Sequence, residues 1–153
     1  VHTYKDSLSG STHLAFVKGE IEAEEPCLVR VHIPNTIRDT CEVFNAGRTS
    51  WSFGSALKRI NEEGKGVAVL LSEEDYGQNM AHNLATAVGS PGETQPTSRT
   101  GSDLTIGTGS QILRDVGVGK MRLLSFPARF NAISGFDLEV VDFVAFDREG
   151  LDE

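Results

Sequence analysis

The stretch RVHIPNTIRDTCEVFNAGRTSWSFGSALKRI (residues 30–60) decides the fold, because its pattern changes from that of a strand to that of a helix. Apolar and polar residues alternate over residues 27–33, CLVRVHI, as is typical of a half-buried strand. Further on, four apolar residues with helical spacing predict one buried helix face: Phe53, Ala56, Leu57 and Ile60. We expect Thr49 or Ser50 to cap the start of this helix and Gly64 to end it. The polar loop between the two elements is in a position that commonly carries binding and catalytic groups.

Outside this stretch, the N-terminal part predicts antiparallel β structure and the C-terminal part predicts alternating strands and helices. The segment HLAFVKGEI (residues 13–21) is predicted to be a strand that pairs with residues 27–33 through an acidic turn at residues 22–26. The segment GVAVLLS (residues 66–72) is apolar on both faces. A strand of this kind is expected to be covered by helices on both sides.

The rest of the chain predicts two more helices and two more strands. The helices are predicted around residues 80–85 and 109–118, with Gly117 near the end of the second. The last two strands are KMRLLS, beginning at Lys120, and DLEVVDFVAF, which ends at Phe146. Residues 89–103 are rich in Gly, Pro, Ser and Thr and predict a long loop that is functional or mobile. The order of elements predicts a single mixed α/β domain over residues 1–153.

Charge and composition exclude several classes of function. The chain has 14 Lys and Arg residues against 22 Asp and Glu residues, a net charge of −8, so we expect no nucleic-acid partner and no anionic membrane surface. No apolar run approaches the roughly 20 residues of a membrane-spanning helix. Two cysteines in 153 residues do not form a disulfide framework, which favours a cytoplasmic location. The first residue is Val1, so we expect the C-terminal domain of a longer polypeptide.

Few residues have the spacing of a chemical site. Cys27 lies on the apolar face of its strand and Cys41 has no second ligand nearby, so no zinc site is expected. Backbone N–H groups of residues 107–110 would hold an anion if these residues opened a helix, although a flexible helix entry is the preferred explanation of the glycines. Residues 73–75 are acidic and follow a buried strand. They could bind Mg²⁺ or transfer protons, or form a solvated loop.

Six segments, taken together and in order, carry a resemblance to a known family. They are HLAFVKGEI, LVRVH, the polar loop, SALKRINEEGKGVAVLL, GSQILRDVGVGKMRLL and GFDLEVV. Over nearly its whole length the chain resembles the GTP cyclohydrolase II family. The resemblance implies a mixed α/β fold with a β-rich N-terminal part. It also implies an activity in which a zinc-bound water opens the imidazole ring of GTP, releasing formate and pyrophosphate.

The zinc ligands of that family are missing from the positions that the resemblance assigns. Family members carry R-V-H-S-E-C after the strand and two further zinc cysteines, as C-D-C, before the helix. Here R-V-H is retained as Arg30–His32, whereas S-E-C is replaced by Ile33–Asn35 and C-D-C by Gly47–Thr49. Cys41 matches no ligand position. Three thiolates hold the metal and leave one position open for water. We therefore expect no zinc and no other cofactor.

The other motifs of the family are partly retained. R-Q-E-G-R is represented by residues 72–76, which keep the glutamate as Glu74 and lose both arginines. In the D-x-R-D-Y region, Asp103 matches the aspartate if one residue is deleted, and the catalytic arginine is missing. T-N-N-P-K begins here at Ser125 and lacks the lysine. The comparison predicts no catalytic residues and a remnant ligand pocket formed by Arg30, Glu74, Asp103 and Ser125.

The resemblance also implies a partner, because this family is often fused behind 3,4-dihydroxy-2-butanone-4-phosphate synthase, an enzyme of riboflavin synthesis. The leading prediction is an inactive domain that stabilises or regulates the attached synthase, in a homodimer. One alternative is a nucleotide or metabolite sensor that uses the remnant pocket, for which a ligand-dependent thermal shift would be evidence. Another is an enzyme with altered chemistry based on residues 73–76, whose turnover would be lost in Glu74→Gln.

Overall fold

The computed structural model describes residues 1–34, 36–41, 51–72, 81, 84, 99–125 and 133–146, with the backbone alone at 36–37, 99–105 and 133–134. Within these residues six strands form one sheet: β1 (His2–Lys5), β2 (Thr12–Lys18), β3 (Cys27–His32), β4 (Gly66–Leu70), β5 (Lys120–Leu124) and β6 (Glu139–Val144). The helices are α1 (Thr36–Asp39), α2 (Phe53–Glu63), α3 (Arg99–Asp115) and a short 3-10 helix (Ile133–Phe136). The predicted mixed α/β class is confirmed.

The sheet has the order β1-β2-β4-β3-β5-β6. Strands β1, β2 and β4 pair antiparallel, and β4, β3, β5 and β6 pair parallel. The predicted pairing of residues 13–21 with residues 27–33 is wrong, because β2 pairs with β4, for example Leu14 with Leu70. Strand β4 takes the place between β2 and β3 because both its faces are apolar, and only an inner position buries both. The crossover through α2 then makes β3 and β4 parallel.

The two faces of the sheet carry separate cores. Helix α3 covers one face, where its Ile112 and Leu113 pack in one buried cluster with side chains of β2, β3, β4 and β5. Helix α2 covers the other face, where Ala56 and Ile60 pack against Leu28 of β3. The prediction that β3 is half-buried is therefore wrong. Both faces of this strand are covered, and the side chains of Leu28 and His32 are completely buried.

The predicted apolar face of α2 is confirmed, since Ala56 and Ile60 are buried. The helix is capped by Ser52, whose side chain accepts the Ser55 N–H at 3.2 Å, rather than by Thr49 or Ser50. Its end is the predicted one. Gly64 adopts a left-handed backbone, with φ 82°, and donates its N–H to the Ile60 and Asn61 carbonyls.

Helix α3 begins at Arg99, ten residues before the predicted start at Gly109. The last part of the predicted loop, residues 99–103, is therefore helical, and residues 107–110 lie in the helix interior. Their N–H groups take part in helical hydrogen bonds, so the anion-binding hypothesis is wrong. Packing explains the glycine at position 109, because a Cβ there would lie 2.9 Å from Val31 Cγ1. The predicted ending is confirmed by Gly117, with φ 98°.

The last strands agree with the prediction, and β6 adds a parallel edge to β5 with a bulge opposite Met121 and Arg122. Of the helix predicted around residues 80–85, Ala81 and Leu84 are described and both have helical backbone. The remainder, with residues 89–98, lies outside the described residues. No described helix is long and apolar enough to cross a membrane.

Candidate functional site

Arg30 projects from β3 toward α2 and is bound by the protein itself. Its Nη1 donates to the Leu124 carbonyl at 2.8 Å, and its Nη2 donates to the Trp51 carbonyl at 3.2 Å. Its Nε donates to His32 Nδ1 at 3.2 Å. Burial, and the nearby Arg38, lower the pKa of Arg30 to about 10, so the side chain remains a cation at neutral pH. The two Nη atoms thus link β3 to β5 and to the residue before the α2 cap, while Nε binds His32 of the same strand.

His32 is the next member of this network and is held as a neutral ring. Because Nδ1 accepts the Arg30 Nε–H, the proton of the ring lies on Nε2, which contacts Asp39 Oδ2 at 2.7 Å. Burial lowers the pKa of His32, and the charges of Arg30 and Arg38 act in the same direction against the opposing effect of Asp39. The contact between His32 and Asp39 is therefore a hydrogen bond to a carboxylate from a neutral imidazole, rather than an ion pair.

Asp39 completes the network at the start of α2. Its Oδ1 accepts the Phe53 N–H at 3.0 Å and contacts Arg38 Nε at 3.2 Å. A carboxylate at this place is favourable, because the first N–H groups of a helix lack helical partners and carry partial positive charge. Sequence reasoning missed Asp39. Its partner His32 lies seven residues earlier across a loop, and no local pattern marks such a pair.

Two of the four predicted pocket residues border a common cavity. Arg30 and Ser125 lie at a cavity of about 150 Å³ between the carboxyl ends of β3 and β5 and helix α3, with Ile106 and Leu113 in its apolar wall. This volume is below the roughly 300–1,000 Å³ of typical ligand pockets. Asp103 precedes Ile106 by one helical turn, and its side chain is outside the described residues. Glu74, with residues 73–80, is outside them too. The remnant pocket stays a prediction.

The side chains available do not fit the zinc of the family. Cys27 is buried in the core at the amino end of β3, away from residues 33–35, and burial raises the pKa of its thiol. Cys41 is exposed beyond α1. Ile33 and Pro34 have no donor atoms in their side chains, while Asn35 and residues 47–49 lie outside the described residues. Two cysteines cannot supply three thiolates, and in the described part no group of three or more His, Cys, Asp and Glu residues could hold a metal.

Fold and donor set together define a mixed α/β domain that lacks the thiolates of a catalytic zinc centre. The chain belongs to the GTP cyclohydrolase II family, whose sequence profile matches residues 1–145. The resemblance seen in the sequence is thereby confirmed.

Individual relatives are named for a different enzyme or for a longer protein. A 3,4-dihydroxy-2-butanone 4-phosphate synthase of Pseudomonas aeruginosa is 47% identical over 142 residues, which are 93% of this chain and 38% of the relative. The riboflavin biosynthesis protein RibBA of Chlorobium phaeovibrioides is 35% identical over 158 residues, covering 95% of this chain and 37% of that protein. The crystal structure of RibBX, a two-domain 3,4-dihydroxy-2-butanone 4-phosphate synthase from A. baumannii, matches with a TM-score of 0.56 and 34% identity over 95% of this chain and 35% of that one. The chain thus spans under two fifths of the length of these relatives.

Proposed function

We propose that this chain is a GTP cyclohydrolase II-family domain without ring-opening activity, and that it stabilises or regulates a 3,4-dihydroxy-2-butanone 4-phosphate synthase. The number of cysteines is the observation that supports the absence of ring-opening activity. The chain has two cysteines, one of them buried in β3, against three zinc thiolates in the family. A metal-bound water with a pKa near 7 is the usual source of hydroxide at neutral pH. No other residues of the described part offer an equivalent donor set.

The retained R-V-H motif supports the same proposal, because its polar side chains have a structural role. Arg30 and His32 join β3, α1 and the start of α2 through hydrogen bonds within the chain. A buried polar network is costly when a member is removed, since the remaining partners lose their hydrogen bonds. The motif can therefore be retained without the thiolates, because its side chains stabilise the fold.

The test of inactivity is a formate-release assay with GTP and added Zn²⁺. We expect no formate above the protein-free background, and a family member that carries the full R-V-H-S-E-C and C-D-C motifs serves as the positive control. Zinc-dependent formate release that scales with protein concentration would refute the proposal.

The proposal of a synthase partner rests on the names of the relatives, two of which are described as the synthase. The synthase is to be compared with and without this domain in the same polypeptide, by thermal unfolding and by turnover of ribulose 5-phosphate. We expect a lower unfolding temperature or altered turnover without the domain. Identical unfolding and identical kinetics would contradict the proposal. Light scattering of the same two proteins tests the predicted homodimer.

A sensor function is the second candidate, and the shared cavity of Arg30 and Ser125 is the observation that favours it. Calorimetric titration with GTP provides the test. Saturable binding at a micromolar Kd, roughly −8 kcal/mol, would support a sensor. The absence of binding heat, with no thermal shift, would leave the structural role as the remaining candidate.

A further inference from the structure

A second cavity bordered by described residues is separate from the predicted remnant pocket. It has a volume of about 750 Å³ and lies between β1, the turn that follows it and helix α3, on the β2 side of that helix. This volume is within the range of small-molecule sites, roughly 300–1,000 Å³. The smaller cavity at Arg30 lies on the β3 and β5 side of α3, and the two cavities share no lining residue.

A buried histidine borders this cavity and has one nitrogen in use. His13 is 6% exposed, and its Nδ1 accepts the Ser72 N–H at 3.0 Å. The remaining ring proton is therefore on Nε2. Among the described residues Nε2 has no hydrogen-bond partner. Because the structure contains no fully buried polar side-chain atom without a partner in the described part, this N–H is accessible rather than enclosed.

An acceptor also lines this cavity. Tyr4 donates its hydroxyl proton to Asp115 Oδ2 at 2.7 Å, and burial together with Asp115 raises the pKa of Tyr4 to about 12. The tyrosine thus remains protonated and fixes the carboxylate. Oδ1 of Asp115 has no partner within the described residues. The cavity therefore presents a donor, His13, and an acceptor, Asp115.

Gly107 lines the cavity, and packing against neighbouring side chains does not explain why this position is a glycine. Gly107 lies inside α3, where glycine destabilises a helix relative to alanine. A Cβ there would have no heavy atom within 4 Å, in contrast to Gly109, whose Cβ would collide with Val31. Gly109 is explained by helix–sheet contact. Gly107 is unexplained by packing, and it lines the cavity.

The charges around the cavity select against anions. Its lining contains one cationic side chain, Lys5, and two carboxylates, Asp6 and Asp115. A polyphosphate would meet more negative than positive charge here. A neutral molecule with hydroxyl or amide groups would instead accept from His13 Nε2–H and donate to Asp115.

We propose that this cavity binds an uncharged molecule of nucleoside size, with His13 as donor, Asp115 as acceptor and Gly107 as the open wall. This site goes beyond the proposed function, because it uses none of the residues of the remnant pocket. Guanosine is a suitable probe, since it has hydroxyl and amide groups without phosphate. GTP is the matched charged probe.

The experiment is calorimetric titration of the purified protein with guanosine, accompanied by NMR of the His13 ring nitrogens. We expect saturable binding and a shift of the Nε2 resonance. Gly107→Leu is expected to weaken guanosine binding about tenfold or more, because the new side chain occupies the cavity. Gly54→Leu is the control, since Gly54 is also helical with no atom within 4 Å of a Cβ and lies outside this cavity.

Three results would overturn the proposal: no saturable guanosine binding, equal binding by Gly107→Leu and the original protein, or tighter binding of GTP than of guanosine. Tighter GTP binding that survives Gly107→Leu would show that GTP binds outside this cavity. Formate release from GTP bears on the proposed function alone. Failure of one hypothesis is thus distinguishable from failure of the other.

Discussion

Replacing His32 with glutamine tests the buried network that joins β3 to α1 and to the start of α2. Glutamine has no titratable group, and its amide can still donate to Asp39. Its amide oxygen is attached to the same carbon as the amide nitrogen, so when the nitrogen donates to Asp39 the oxygen does not take the place of Nδ1, which accepts from Arg30 Nε at 3.2 Å in the original protein. A buried donor left without its acceptor costs about 1–3 kcal/mol. We expect His32→Gln to lower the free energy of unfolding by this amount at about pH 7.5.

The free energy of unfolding of His32→Gln should depend less on pH than that of the original protein. Burial lowers the pKa of His32 below the usual histidine value of 6.5, so below that pH the unfolded chain binds a proton that the folded protein resists. This contribution to stability is complete above pH 6.5 and is lost as the pH falls through the folded pKa. One proton corresponds to about 1.4 kcal/mol per pH unit. As the pH falls below 6.5, the original protein should lose more stability than His32→Gln, at a rate of at most about 1.4 kcal/mol per pH unit.

Urea unfolding of both proteins at a series of pH values provides the measurement. The free energies of unfolding should converge as the solution becomes more acidic. Carboxylates that the two proteins share, such as Glu63, whose pKa is lowered by Arg59, contribute to both pH profiles and largely cancel in the comparison. Parallel pH profiles for the two proteins would refute the argument, since they would mean that His32 does not take up a proton on unfolding.

Three further substitutions follow from the helices. Ser52→Ala removes the side chain that accepts the Ser55 N–H, and should lower the free energy of unfolding by about 1 kcal/mol, with exposed Lys58→Ala as the control. Gly109→Ala places a Cβ 2.9 Å from Val31 and should destabilise by about 1–3 kcal/mol despite its better helix propensity. Gly107→Ala, two residues earlier with no atom within 4 Å of its Cβ, should stabilise by about 0.5–1 kcal/mol. Urea unfolding measures all three, and a gain of stability in Gly109→Ala or an unchanged Ser52→Ala would contradict the corresponding contact.

Predictions from sequence succeeded where the pattern is local. The apolar face of α2 lies within two helical turns, and the glycine endings at Gly64 and Gly117 depend on the left-handed backbone that glycine adopts without strain. The burial of both faces of β4 follows from an unbroken apolar run. The expectation of no zinc stays a prediction, which the number and the sequence positions of the cysteines support.

Other features could not be predicted because they depend on partners distant in the chain. The alternation in β3 marks Arg30 and His32 as solvent-facing, yet His32 is fully buried, since Asp39 and Arg30 satisfy both its nitrogens. Burial of a polar side chain depends on whether the fold supplies its hydrogen bonds, and the sequence around it carries no record of that.

The sequence by itself determined the family, the order of the longer elements from β2 to β6 and the buried character of β4, because each is a property of residue type and short-range spacing. Tertiary structure decided that β4 lies between β2 and β3, and that α3 begins at Arg99. It also placed His13, Asp115 and Gly107 around one cavity. These outcomes depend on which distant surfaces bury each other most completely, and that competition is resolved only when the whole chain folds.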